Sequence, residues 1–359
     1  MKKRISILLA VLMLVTLAAC GGGNGSGSGG GSAAGGSGGG NNEVIRWTMA
    51  TIYQEPIGGN LTHMSLGAAM QRFIADVYEM SGGRLIIEGF YNAVLGSSND
   101  TFQQMTRGEL DVFYGQPMSA IDTRFGAWGI PYLFRDYDEI LEIATDPDGE
   151  FFALSSEWIS EHNGTLLAKG ITNMRGIFNA SHPVVTVDDV ATLRLRTFED
   201  PVVNTFWGGI SLAVPMPITE VYTALQTNAI DGLEFSANSV INRRFYEVGT
   251  YFTDINWQWT SGANFVVNTD AFNALPADLQ EIVVEAARAA AIFQGELERQ
   301  DEEIAFDVLV ENGGQVHFLT DAERQVWIDF AESISAQMRD AIGAEAYDQV
   351  RAIVANARG

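Results

Sequence analysis

The chain has one cysteine, Cys20, in 359 residues. With that thiol consumed at the N-terminus, as argued below, the body has no disulfide framework, no cysteine nucleophile and no thiolate metal site. Histidine is almost as scarce. His63, His162, His182 and His317 are the whole set, and none stands at metal-ligand spacing such as HExxH to another ligand. No G-x-S-x-G nucleophile elbow occurs in the folded part. Positive charge is also short, with 21 Lys and Arg against 45 Asp and Glu and a net charge of −24. That balance argues against nucleic acid or an anionic membrane surface as partner. It does not argue against a small anionic ligand, because local positive charge can line a cleft. The acidic residues allow many carboxylate pairs, but nothing marks one out for glycosidase chemistry. The run Asp146–Glu150 lacks the full calcium-loop pattern and reads as the cap of a following helix.

The N-terminus carries a targeting signal. Lys2, Lys3 and Arg4 precede an apolar run from Ile5 to Leu17, too short for a comfortable permanent span and followed by small residues. Leu17-Ala18-Ala19-Cys20 resembles the lipobox of bacterial lipoproteins. The resemblance implies cleavage of residues 1–19, acylation of Cys20 and a protein held at the extracytoplasmic side of a membrane, in a periplasm or on the outer face. Gly21–Asn42 has 13 Gly, four Ser, three Asn and two Ala and no charge, so it reads as a flexible tether. The linker is assigned to residues 20–43.

The remaining residues exceed a typical single domain, so two lobes are expected. Strand-like Val44–Ala50, Leu85–Tyr91 and Leu110–Gly115 alternate with helical 63–80 and 99–107. This βαβαβ spacing predicts a mostly parallel sheet flanked by helices. Helices are predicted at 136–145 and 148–162, and a strand at 165–169. Short segments follow at 194–198, 201–207, 211–214, 218–227 and 231–235. Residues 276–312 read as one helix, roughly 50 Å long if unbroken and so able to cross two lobes. A strand at 315–319 and helices at 320–341 and 343–357 close the chain.

Four ordered blocks then give a resemblance that covers essentially all of 44–359. The first is Ser81-Gly82-Gly83-Arg84-Leu85 with Leu95-Gly96 and Gly108-Glu109-Leu110-Asp111. The second is Gly129-Ile130-Pro131-Tyr132-Leu133-Phe134-Arg135-Asp136-Tyr137. The third is Glu220-Val221-Tyr222-Thr223-Ala224-Leu225-Gln226-Thr227, with Ile230-Asp231-Gly232 and Phe245-Tyr246-Glu247-Val248. The fourth is Leu275-Pro276-Ala277-Asp278-Leu279-Gln280. Together they resemble the substrate-binding proteins of tripartite ATP-independent periplasmic (TRAP) transporters. The resemblance implies an α/β, two-lobed periplasmic-binding-protein-like fold with a hinge and a long helix across both lobes. Lobe I would be 44–172 plus about 262–300, and lobe II 173–261 plus about 301–359. It also implies a receptor, not an enzyme, without cofactor. The receptor would capture a carboxylate-bearing organic acid between its lobes and deliver it to small and large membrane subunits. The alternative is a binding lipoprotein used for sensing or with an ATP-driven importer.

The same resemblance nominates the site. Arg196, in Leu193-Arg194-Leu195-Arg196, matches the arginine that holds the ligand carboxylate, a role suited to its planar fork of donors. Arg175, in an Arg-x-x-x-Asn pattern ending at Asn179, is a second candidate contact. Gln116 and Tyr53 follow strands whose ends face the cleft in open α/β sheets. Two departures stand out. Phe235 replaces the family's ligand-touching Asn, and beside it Glu234 reads as a hydrogen-bond acceptor or, alternatively, a cation ligand. Trp257-Gln258-Trp259 places aromatics near the hinge, with Trp259 as a candidate contact. With Phe235 it hints at a ligand with apolar surface beside its carboxylate.

Overall fold

The computed structural model describes residues 44–359 except 60, 173 and 199. The signal peptide, Cys20 and the linker lie outside the described residues. Eleven strands are present among those described: β1 (Ile45–Ala50), β2 (Leu85–Phe90), β3 (Val112–Gly115), β4 (Gly164–Lys169), β5 (Gly176–Asn179), β6 (Arg194–Thr197), β7 (Leu212–Pro215), β8 (Gly232–Phe235), β9 (Tyr251–Asp254), β10 (Asn264–Asn268) and β11 (Gln315–Phe318).

They form two sheets, ordered β2-β1-β3-β10-β4 and β11-β9-β5-β8-β6-β7. The βαβαβ reading accounts for the parallel trio β2-β1-β3. The sheets are nevertheless mixed, because β10 runs antiparallel to both β3 and β4, and β5 runs antiparallel to both β8 and β9. The chain returns to the first sheet from the far side, so its last strand there enters reversed. Strands β5 and β9 were not read from the sequence at all. Each is four residues long, too short to display a period.

Helix limits follow their caps. Helix Ser98–Thr106 begins at Ser97, whose hydroxyl exchanges a reciprocal capping-box interaction with Asp100. The helix therefore starts one residue before the 99 expected from the sequence. The helix Glu150–Ser160 starts at Gly149 with no side-chain cap. Asp146 instead accepts a bond from the Asp148 amide, which makes a turn and not a cap. The predicted helix at 320–341 is two, Asp321–Ser333 and Ser335–Ile342, and Ala344–Ala357 closes the chain.

Two segments connect the sheets beside each other, 170–175 after β4 and 255–263 before β10. They are hydrogen bonded together, from the Gly170 amide to the Ala263 carbonyl at 2.7 Å and between Arg175 and Trp257–Gln258. The long helix, Ala277–Glu311, packs on helix Ser65–Met80 and β4 at one side and on helix Ala237–Asn242 and β11 at the other. At 1.5 Å per residue it spans about 50 Å. Its mid-point polar residues are buried: Gln294, Glu298 and Asp301. They mark where the helix passes the cavity described next. The last helix packs against 123–129 and 150–160, and Arg358 closes it with bonds to Glu139 and the Leu133 carbonyl.

Candidate ligand-binding site

A cavity of about 950 Å³, counting its open mouth, lies where both sheets turn their strand ends toward each other. The loop after β1 contributes Tyr53 and Gln54, and the residue after β3 contributes Gln116. From the second sheet come Arg196 of β6, Phe235 of β8 and the helix that follows it. Thr172 and Thr260 of the crossing segments and Glu298 of the long helix complete the floor. Crevices at strand ends suit ligands because loops and helix termini there present unpaired backbone and side-chain groups.

Arg196 is 3 % exposed. Its Nε and Nη2 donate to the Met216 carbonyl at 3.0 and 2.9 Å. These bonds fix the plane of the guanidinium at the cavity wall. Arg175 is also in the wall, but its charge is answered within the protein. Its Nε and Nη2 donate to both carboxylate oxygens of Glu234, and Nη2 also reaches the Glu234 carbonyl at 2.8 Å. The guanidinium carbon sits 5.3 and 5.1 Å from the ring centroids of Phe198 and Phe235. Two aromatic faces therefore hold it in one orientation.

Glu234 is fully buried and does not line the cavity. It is a hydrogen-bond acceptor, for Arg175. The cation-ligand reading is corrected, because a cation at that carboxylate would meet a guanidinium already bonded to both oxygens. Among the described residues no group of three His, Cys, Asp or Glu is placed to hold a metal ion. Trp259 is the second correction. It is buried against Phe134 and Phe151, outside the cavity wall. Trp257 likewise stacks on Phe206 in the core. The tryptophans' apolar area is satisfied by packing, and the apolar wall includes Phe235, Phe198 and Ile218 with Ile52, Met64, Leu66 and Met118. Asn179 turns away from the cavity and accepts the amides of Ser181 and His182. Tyr53 lines the cavity with its ring, while its hydroxyl donates to the Gly262 carbonyl. Burial pushes that hydroxyl's pKa well above the usual range, so it stays protonated.

Sequence reasoning missed several wall residues: His63, Ser65, Phe198, Asn238, Asn242 and Arg243. Four of them, His63, Ser65, Asn238 and Asn242, join the two sides of the mouth. His63 Nδ1 lies 2.6 Å from Asn238 Oδ1, Asn238 and Ser65 both donate to Glu298, and Asn242 donates to the His63 carbonyl. No spacing in the chain announces contacts between residues about 175 positions apart.

Two mixed sheets joined by paired crossing segments, with a polar, arginine-bearing cavity between them, are the architecture of a solute-binding type of protein. Residues 60–341 match the family model "Bacterial extracellular solute-binding protein, family 7". The chain belongs to that family, the TRAP solute receptors. It is 25 % identical over 304 residues to the C4-dicarboxylate-binding periplasmic protein DctP of Rhodobacter capsulatus, covering 80 % of this chain and 86 % of that one. It is 26 % identical over 275 residues to the 2,3-diketo-L-gulonate-binding periplasmic protein YiaO of Escherichia coli K12, covering 76 % and 81 %. A crystal structure of the sugar acid binding protein DctPAm from Advenella mimigardefordensis, in complex with galactonate, superposes with a TM-score of 0.79 at 24 % identity, covering 88 % of this chain and 99 % of that one. The family consists of transport receptors and not enzymes.

Proposed function

We propose that this receptor captures a hydroxylated organic acid, with the ligand carboxylate on Arg196, and passes it to the small and large membrane subunits of a TRAP transporter without chemical turnover. The observation that carries this reading is the position of Arg196 in the cavity wall, its plane fixed by the Met216 carbonyl. A guanidinium so held meets both carboxylate oxygens at little further entropic cost. Gln54, Gln116, Thr172, Ser236, Ser239 and Thr260 supply neutral donors and acceptors suited to ligand hydroxyls. Galactonate bound to the Advenella protein and the diketogulonate named for YiaO belong to the same ligand class.

Lobe I is taken as 44–172 with about 262–300, and lobe II as 173–261 with about 301–359, closing over the ligand by rotation at the crossing segments. Cys20 is the lipid anchor. Its 22-residue tether (Gly21–Asn42) keeps the receptor beside its membrane subunits. The test is calorimetry of the soluble body with galactonate, succinate and 2,3-diketogulonate. At least one should bind, and Arg196→Ala should abolish binding while the far-UV spectrum stays unchanged. Unaltered affinity in that variant refutes the assignment. For the anchor, labelled palmitate should enter the wild-type protein and not Cys20→Ser, and equal labelling of the two removes the lipoprotein reading.

A further inference from the structure

A second pocket, of about 940 Å³ counting its open mouth, lies apart from the ligand cavity. It sits where β4, the edge strand of the first sheet, meets the long helix and the helices Tyr137–Ala144 and Glu150–Ser160. Its apolar wall includes Leu141, Pro147, Phe152, Ile171, Ala291 and Ile292. The long helix lines it with residues 288, 291, 292, 295 and 299, the spacing of one helical face. Gly295 stands in that stripe, where a Cβ would come within 3.2 Å of Ile171 Cδ1. The helix thus lies close on the crossing segment and presents no side chain to the pocket at that point. The polar side chains of the inner wall are already engaged. Thr145 Oγ1 donates to the Leu141 carbonyl at 2.9 Å, and the Lys169 amine is held by Ser261 and Asn264, which do not line this pocket. These walls do not suit the hydroxylated acids proposed for the ligand cavity.

Charge is confined to the rim, where Arg288, Glu296 and Arg299 stand exposed. Arg299 is answered by Asp138. Arg288 makes no ion pair or hydrogen bond with a described residue. Glu296 lies eight residues further on, about 12 Å along the helix, so it disfavours an anion at its own end and leaves the Arg288 end favourable. Between them Ile292 is 67 % exposed. An apolar pocket open to water gains free energy when an apolar chain displaces that water. We propose that this pocket is a second ligand site, for a free straight-chain alkyl carboxylate, with its chain against Leu141, Phe152, Ile171 and Ile292 and its head at Arg288. The walls select the chain, and the unanswered guanidinium at the rim selects the anionic head. The site is independent of the receptor reading, because no residue of it lines the ligand cavity.

Calorimetry of the soluble body with octanoate, decanoate and octan-1-ol, each below its micelle or solubility limit, tests the idea. Both acids should bind at one saturable site, decanoate roughly tenfold more tightly for its two extra methylenes. Octan-1-ol has the same chain as octanoate and no charge, and should bind about threefold more weakly. Arg288→Gln should erase that difference by weakening octanoate. Ile292→Glu, which puts a carboxylate in the path of the chain, should abolish binding of both acids. Both positions are exposed on the helix, and a melt at the wild-type temperature checks that the variants fold. Arg196→Ala, which removes the anion holder of the other cavity, should leave decanoate binding in place. No saturable binding of decanoate, its loss in Arg196→Ala, equal affinity for octanoate and octan-1-ol, or full affinity in folded Ile292→Glu overturns the inference.

Discussion

Arg175→Met breaks the most deeply buried ion pair of the cavity. Met keeps the stem that packs between Phe198 and Phe235 but removes every donor to Glu234. Glu234 is wholly buried, so the variant would hold an uncompensated carboxylate in the interior. Breaking one partner of such a pair costs about 3–5 kcal/mol. The body has 317 residues (359 minus the first 42). At about 2.1 cal/mol/K of unfolding entropy per residue, that cost lowers Tm by roughly 4–8 °C. Replacing both partners, Arg175→Met with Glu234→Leu, removes the stranded charge and should recover most of the loss, because a packed apolar pair is often neutral or stabilising. The assay is thermal melting of the four proteins of the cycle by circular dichroism, without ligand. Additive losses, or a single-variant shift under about 1 °C, would refute the claim that this pair is closed to water and mutually dependent.

Lys169, the one lysine of the body, lies buried among Ser261, Asn264 and the Trp128 ring, with no carboxylate paired to it among the described residues, and desolvation pushes its pKa down to about 7. Between that value and the ordinary lysine range the unfolded chain binds the extra proton, so stability should rise with pH by up to about 1.4 kcal/mol per unit. Lys169→Met should flatten this rise in denaturant midpoints from pH 7 to about 10, and an unchanged slope would contradict it. Glu139 is held down to about 2, first by Arg358 and also by Arg135. Its folded value is below its unfolded one, so the stabilisation is complete at neutral pH and fades as pH falls through about 2. Arg358→Ala should thus cost about 1–3 kcal/mol at pH 7 and much less near pH 2, as melts across that range will tell. At Gly67 an added β-carbon would stand 1.9 Å from the Gln54 carbonyl oxygen. Gly67→Ala should cost about 1–3 kcal/mol and weaken ligand binding by displacing Tyr53 and Gln54, while wild-type Tm and affinity would count against that contact.

The parts of this protein that are local in the chain were legible before any coordinates. The parallel trio of strands, the long helix between Pro276 and Gly313 and the strand that carries Arg196 each announce themselves by period, cap or motif. So did the positions of Tyr53, Gln116, Arg175, Arg196 and Phe235 around one cavity, since strand ends and ordered motifs mark them. What the chain order could not decide is which groups spend their polarity on each other. Arg175 and Glu234 look like two ligand contacts in sequence, yet 59 residues apart they form a pair that answers its own charge. Trp259 looks like cleft lining, yet its ring is taken by Phe134 and Phe151. Local pattern reports what a residue offers. Tertiary packing, through burial and the pairing that burial enforces, decides which offers are left open to a ligand.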